Sequence, residues 1–170
     1  AISALLTPCA DFQFAVYHPN ADTVAETAAH IRWQRPNRHG FHGELIRSGG
    51  VICNAGFELA SEALQLGIKL LVKPVQGQSE QHANAMALAQ LGVGYTMDYL
   101  DDARVRDWLG CGRAVRVRYP DVAAAIARWI AAGHHHTDIQ ALSAALWRTT
   151  RFPEVPLFPP PEMHPVVSEP

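Results

Sequence analysis

Short apolar runs alternate with helical patterns through the first hundred or so residues, and that alternation constrains the fold more than any other feature. The runs FQFAVY (12–17), VIC (51–53), IKLLV (68–72) and VGYTM (93–97) read as short buried strands, with a weaker one at HIRWQR (30–35). Between them, helical patterns cover 41–47, 58–66 and 79–91. Strands joined through helices need crossover connections, so the order predicts an α/β fold, an open parallel sheet with helices on both faces. The helix ends agree. Gly67 follows Leu66 and Gly92 follows Leu91, each where a left-handed residue closes a helix, and Ser79 is placed as an N-cap.

Beyond residue 97 the pattern loosens. A short helix with an acidic start is expected over 98–109, and 114–119 alternates like an extended segment with its arginines on one side. Helices are expected at 121–132 and 138–149, the second opened by a capping box from Thr137 and Gln140. From Phe152 onward seven prolines rule out a packed core, so the expected organisation is one domain over 1–150 and an extended tail over 151–170.

At 170 residues, 48% hydrophobic and 18% charged, the chain is a globular protein with a real core. A net charge of −2 supplies no pull toward nucleic acid, and no nucleic-acid partner is expected. Cys9, Cys53 and Cys111 are odd in number and far apart, which fits neither a disulfide framework nor a zinc site and makes a reducing compartment the default. No run approaches the roughly 18 apolar residues of a membrane span. The chain opens Ala1-Ile2-Ser3 with no initiator Met, and the spacing of Ile2, Leu5 and Leu6 suggests the tail of a helix. It is therefore expected to be a piece of something longer.

Chemistry in such a sheet belongs to the loops beyond the strands' carboxyl ends. In NAGFELASEALQLG (54–67), Gly56 lets backbone approach a ligand, and the N–H groups of Phe57, Glu58 and Leu59 can hold an anion. Glu62 follows one turn later, within reach of a sugar hydroxyl. On spacing alone, a plain turn with a solvated glutamate remains the better account, because one glycine before a helix is a weak motif. The next loop, KPVQGQSEQHANA (73–85), offers Gln76, Gln78, Glu80 and Gln81 for paired hydrogen bonds to hydroxyls. Lys73 adds a charge near a phosphate or is simply solvated, and Asn84 is expected to bond loop backbone. The run GHHHTD (133–138) is read as a polar interhelical loop, since three adjacent histidines cannot share one helix side, and no metal is expected there. Trp33, Trp108, Trp129 and Trp147 are expected as core or helix-packing anchors.

Both loops together, residues 49–94, resemble the C-terminal, donor-binding half of GT-B glycosyltransferases. The likeness is greatest to the bacterial enzymes that add N-acetylglucosamine to lipid-linked muramyl-pentapeptide and to related uncharacterised transferases. A small-residue loop, Ser-Glu-Ala, a strand with Pro, Glu-Gln and Asn-Ala recur in that order, with RHGF (38–41) as a weaker extension. The resemblance implies a Rossmann-like half of a GT-B fold, with its first strand and glycine-bearing loop missing before Ala1. It implies that Asn54, Ala55, Gly56 and Phe57 hold the diphosphate of a nucleotide sugar, a UDP-sugar by preference. Glu62 then binds the ribose, Glu80 and Gln81 the sugar, and His39, Gly40 and Phe41 the base. It implies no metal and no cofactor.

The resemblance also implies a catalytic base in an N-terminal acceptor domain or partner subunit, and an acceptor that is lipid-linked or a glycan. The location it implies is cytoplasmic, peripheral at the inner membrane face in the full-length protein. Lys73 departs from the pattern, standing where an apolar residue is common. Two other readings stay open: a nucleotide-sugar 2-epimerase, which the NAGFELASE loop disfavours, and a non-catalytic GT-B-like binding subunit.

Overall fold

A computed structural model describes residues 2–24, 27–133 and 138–153. The element order is α1 (Ile2–Leu6), β1 (Phe14–Tyr17), β2 (Ile31–Gln34), α2 (Arg38–Arg47), β3 (Gly50–Asn54), α3 (Phe57–Leu66), β4 (Lys69–Lys73), α4 (Ser79–Gln90), β5 (Tyr95–Thr96), α5 (Asp102–Cys111), α6 (Val122–Ala131) and α7 (Ile139–Thr149). Every strand pairing is parallel, as the alternation requires. The strands do not form one continuous sheet, however. Among the described residues β1 pairs only with β2, and β3, β4 and β5 make a separate three-stranded sheet in that order.

Alternation along the strands assigns the two faces. Val51 and Cys53 of β3, with Leu70 and Val72 of β4, pack in a cluster with Phe41 and Leu45 of α2 and Ala60, Ala63 and Leu64 of α3. Ile52 and Leu71 point the other way, into a cluster with Leu5 and Leu6 of α1 and Val105 and Trp108 of α5. Phe14 and Val16 of β1 and Ile31 and Trp33 of β2 join that second cluster, so both sheets lie on the same helical layer. The fold is thus α/β and Rossmann-like, with helices on both faces. Leu70, Leu71 and Val72 are essentially fully buried, and side chains of that size contribute about 1.5–3 kcal/mol each.

Helices α3 and α4 stop as the glycines predict. Gly67 has φ 73°, its N–H reaches the Leu64 carbonyl, and Ile68 N–H reaches that of Ala63. Gly92 has φ 63°, with the equivalent bonds from Gly92 to Ala89 and from Val93 to Leu88. Both are Schellman motifs. Ser79 is not the cap of α4. That place falls to Gln78, with no capping side chain, and Ser79 is the first helical residue. The segment 114–119 is extended, with Val115 and Val117 buried and Arg116 and Arg118 exposed; it joins no sheet, and is held by hydrogen bonds to Leu64 and Gln65 at the end of α3 and by an isolated bridge from Arg118 to Arg151. Helices α6 and α7 contribute no buried residue. Trp108 is a core anchor, whereas Trp147 is 62% exposed and stacks on Phe152. Thr137 of the expected capping box, the histidines at 134–136 and the tail from 154 lie outside the described residues. No described helix is long and apolar enough to cross a membrane.

Candidate functional site

β3 and β4 end side by side, with Asn54 in register with Lys73. Their following helices therefore start at the same end of the sheet. The starts of α2, α5 and α6 are closed by side chains, since Asn37, Asp101 and Asp121 accept from the backbone N–H three residues on. The starts of α3 and α4 are different: Gly56 and Gln78 cap them with no side-chain hydrogen bond. The first N–H groups of α3 are left to solvent or to a ligand, beside the positive end of the helix dipole.

Gly56 leaves open space at this helix start. Its φ is −70°, an ordinary conformation for any residue, and a Cβ built there meets nothing within 4 Å. Neither strain nor crowding inside the chain requires a glycine. Gly40 is the contrary case: a Cβ there would lie 2.6 Å from Asn37 Nδ2, so the α2 cap requires it.

The other candidates lie on α2, on α3 and its preceding loop, and at the start of α4. Ala55 is fully buried, and its carbonyl accepts from Asn84 Nδ2 at 3.0 Å, the loop-bracing role expected of Asn84. Phe57 is 70% exposed at the helix start. Glu62 sits one turn further along α3, half-exposed, with Oε1 2.7 Å from His42 Nδ1 of α2. That contact links the solvent-facing sides of α2 and α3. His39 is exposed in the first turn of α2, while Phe41 is half-buried and packs edge-on against Tyr17 at 5.0 Å. Glu80 is exposed. The Gln81 amide is used within its own loop, accepting from Val75 N–H at 3.0 Å and donating to Gln78 Oε1 at 2.7 Å. Gly77, at φ 79°, makes the turn between them. The Lys73 ammonium donates to the Pro74 carbonyl at 3.1 Å.

An open cavity of about 1870 Å³ unites part of this set. Phe41, Asn54, Gly56, Phe57, Lys73 and Glu80 line it, whereas Ala55, Glu62, Gln81, His39 and Gly40 do not. Several further side chains lie near it without any signal in the sequence. His42 contacts Glu62. Glu44 takes Tyr17 Oη at 2.9 Å, Arg32 at 2.8 Å and Gln34 at 3.2 Å, binding α2 to the first sheet. Those bonds hold the Glu44 carboxyl below its ordinary range, Arg32 contributing most, while desolvation and then the Glu44 carboxylate push the Tyr17 phenol up. Glu58, in the first turn of α3, also lines the cavity and places a carboxylate where an anion would come. Cys53 lines it too, its thiol pushed up to about 12 by burial. No local spacing announces His42 or Glu44, because their partners lie on other elements. Among the described residues no group of three or more His, Cys, Asp or Glu could hold a metal ion.

Residues 1–111, which carry α1–α5 and the five described strands, match the model of glycosyl transferase family 1. No curated protein and no solved structure matches the chain, and the narrower likeness to the muramyl-pentapeptide enzymes has no support beyond the family match. The match covers well over half of the 170 residues, so the chain belongs to glycosyl transferase family 1, whose members join a nucleotide-sugar donor to an acceptor.

Proposed function

We propose that this chain is the donor-binding part of a glycosyltransferase using a UDP-sugar, with the diphosphate seated at the start of α3. The observation that carries the reading is the uncapped first turn of α3 behind a glycine that the fold itself does not need. Phosphate oxygens would take the N–H groups of Phe57 and its neighbours, with Asn54 at the rim and the Lys73 ammonium across the adjoining strand end. Glu62, in contact with His42, would accept from the ribose hydroxyls. Glu80 is the better placed of the two sugar candidates, because the Gln81 amide already braces its loop. The base would lie against the start of α2, at His39, Gly40 and Phe41.

In the transfer, the bond from the sugar's anomeric carbon to the diphosphate oxygen breaks, and its electron pair leaves with the diphosphate. The acceptor oxygen bonds to that carbon and gives up its proton to a general base supplied from the acceptor side. Charge thus develops on an oxygen at the helix tip, where N–H groups fixed by the fold stabilise it without reorganising. Glu58 opposes the same charge.

Calorimetry with UDP tests the reading. The wild-type chain is expected to bind, Glu62→Ala to bind at least about tenfold more weakly (a loss near 1.4 kcal/mol), and Glu58→Gln to bind more tightly. A folded chain whose UDP affinity is the same in all three would overturn it.

A further inference from the structure

The last two described helices carry an apolar surface that the core does not use. Neither α6 nor α7 contributes a buried residue. On α6, Val122, Ile126 and Ile130 are exposed and fall on one face at steps of four. On α7, Ile139 and Trp147 are exposed two turns apart. Single exposed apolar side chains are ordinary, but rows of them on consecutive helices mark a docking surface. The charge around them is one-sided. Residues 112–153 hold six arginines, Arg113, Arg116, Arg118, Arg128, Arg148 and Arg151, against Asp121 and Asp138, a net +4. Among the described residues none of these six arginines forms an ion pair.

The chain itself supplies a segment of complementary chemistry. Residues 154–170 hold Glu154, Glu162 and Glu169 with no lysine or arginine, a net −3, and set Val155, Leu157, Phe158, Met163, Val166 and Val167 among six prolines. Pro153-Glu154-Val155-Pro156 and Pro156-Leu157-Phe158-Pro159 overlap, each with the proline spacing of polyproline II segments that dock on aromatic side chains. The point of departure is set by the described chain. Arg118 and Arg151 exchange backbone bonds at 3.0 and 2.9 Å in an antiparallel bridge. The next bonded pair would need an N–H on residue 153, which is a proline, so the ladder stops there. Phe152 meanwhile stacks on Trp147, ring centroids 6.5 Å apart. The described chain thus reaches Pro153 with its last aromatic ring against the exposed face of α7.

We propose that residues 154–170 dock on this surface as an extended strap, with Trp147 as the aromatic anchor, covering the apolar face of α7 and then that of α6. The lengths agree. Residues 154–158 span about 15 Å as polyproline II, and α7 rises about 12 Å from Ile139 to Trp147. Val155, Leu157 and Phe158 then meet α7, and residues 159–170 extend roughly 35 Å further, enough for the row on α6. The opposite charges favour the same pairing, and the prolines lower the entropy lost on docking. This inference does not rest on the UDP reading, since no described residue beyond 111 lines the cavity beside α3.

Photo-crosslinking tests it in the full 170-residue chain, with Leu157→p-benzoylphenylalanine and Val166→p-benzoylphenylalanine prepared separately and the products mapped by peptide mass. Both are expected to cross-link within one molecule, mainly to residues 122–152. Trp147→Ser, a change at an exposed position, should lower the yield from position 157 at least about threefold, and Arg148→Glu should lower it too. Cross-links mainly to residues 1–111, yields no higher than in the urea-unfolded chain, or yields unmoved by Trp147→Ser would each overturn the proposal. Cross-links mainly between two molecules would overturn it as well, and would assign the surface to a second copy of the chain.

Discussion

At the scale of single residues, the glycines divide by the reason each is a glycine. Gly50 is held by packing: a Cβ there would lie 2.8 Å from the Trp108 ring and 3.0 Å from Lys69 Cβ. Gly50→Ala is therefore expected to cost about 1–3 kcal/mol in urea unfolding. Gly56→Ala faces open space, and it should leave the unfolding midpoint unchanged while weakening nucleotide binding. The thiols divide in the same way. Cys111 is exposed and Cys9 buried, and burial raises Cys53 to about 12. A thiol-reactive dye at pH 8 should label Cys111 rapidly, Cys53 slowly because its raised pKa leaves little thiolate, and Cys9 only as fast as the protein opens. Of these features, the sequence shows that a glycine breaks the chain at 56. It does not show whether ligand or packing requires it, because that depends on what surrounds the missing Cβ.

At the scale of elements, the boundaries were legible where local chemistry decides them. The expected helix over 58–66 is α3 at Phe57–Leu66, and 79–91 is α4 at Ser79–Gln90, since each ends on a left-handed glycine. The Ser79 cap was misplaced because the turn before α4 is closed by Gln81 reaching back to Val75, a contact spanning six residues. The strand 93–97 shortens to Tyr95–Thr96, the residues in register with β4, with Met97 N–H adding one bond to the Val72 carbonyl. Glu44 was invisible for the same reason of distance: its partners Tyr17, Arg32 and Gln34 lie on β1 and β2.

That network has a pH signature. The folded-state value of Glu44 lies below the unfolded value, so its stabilisation is present above the unfolded carboxylate range near about 4.3 and fades as pH falls through the folded value. Glu44→Gln should flatten the fall in the urea midpoint between about pH 5 and pH 3 relative to wild type. Burial separates the elements energetically. Leu71→Ala in β4 should cost about 2–5 kcal/mol, whereas Ile130→Ala in α6, at 63% exposure, should change stability little.

At the scale of the whole molecule, alternating strands and helices made the parallel α/β architecture readable, because crossover connections leave few other arrangements. The split into two sheets was not readable. Which strands meet edge to edge is a property of the assembled layer, and nothing between residues 17 and 50 encodes it locally. The candidate site was legible as two loops at one sheet end, since that position follows from topology. Its electrostatic balance was not, because Glu58, Lys73 and His42 acquire their relations only on packing.

A nucleotide diphosphate seated at the start of α3 would be read most directly from the amides of that turn. Amide chemical-shift mapping during a UDP titration tests it most directly. The account predicts that the largest shifts fall on Gly56, Phe57, Glu58 and Leu59, with smaller ones near Glu62 and Lys73, and that Gly56→Ala abolishes them without unfolding the chain. Saturable shifts confined elsewhere, with the first turn of α3 unmoved, would contradict it.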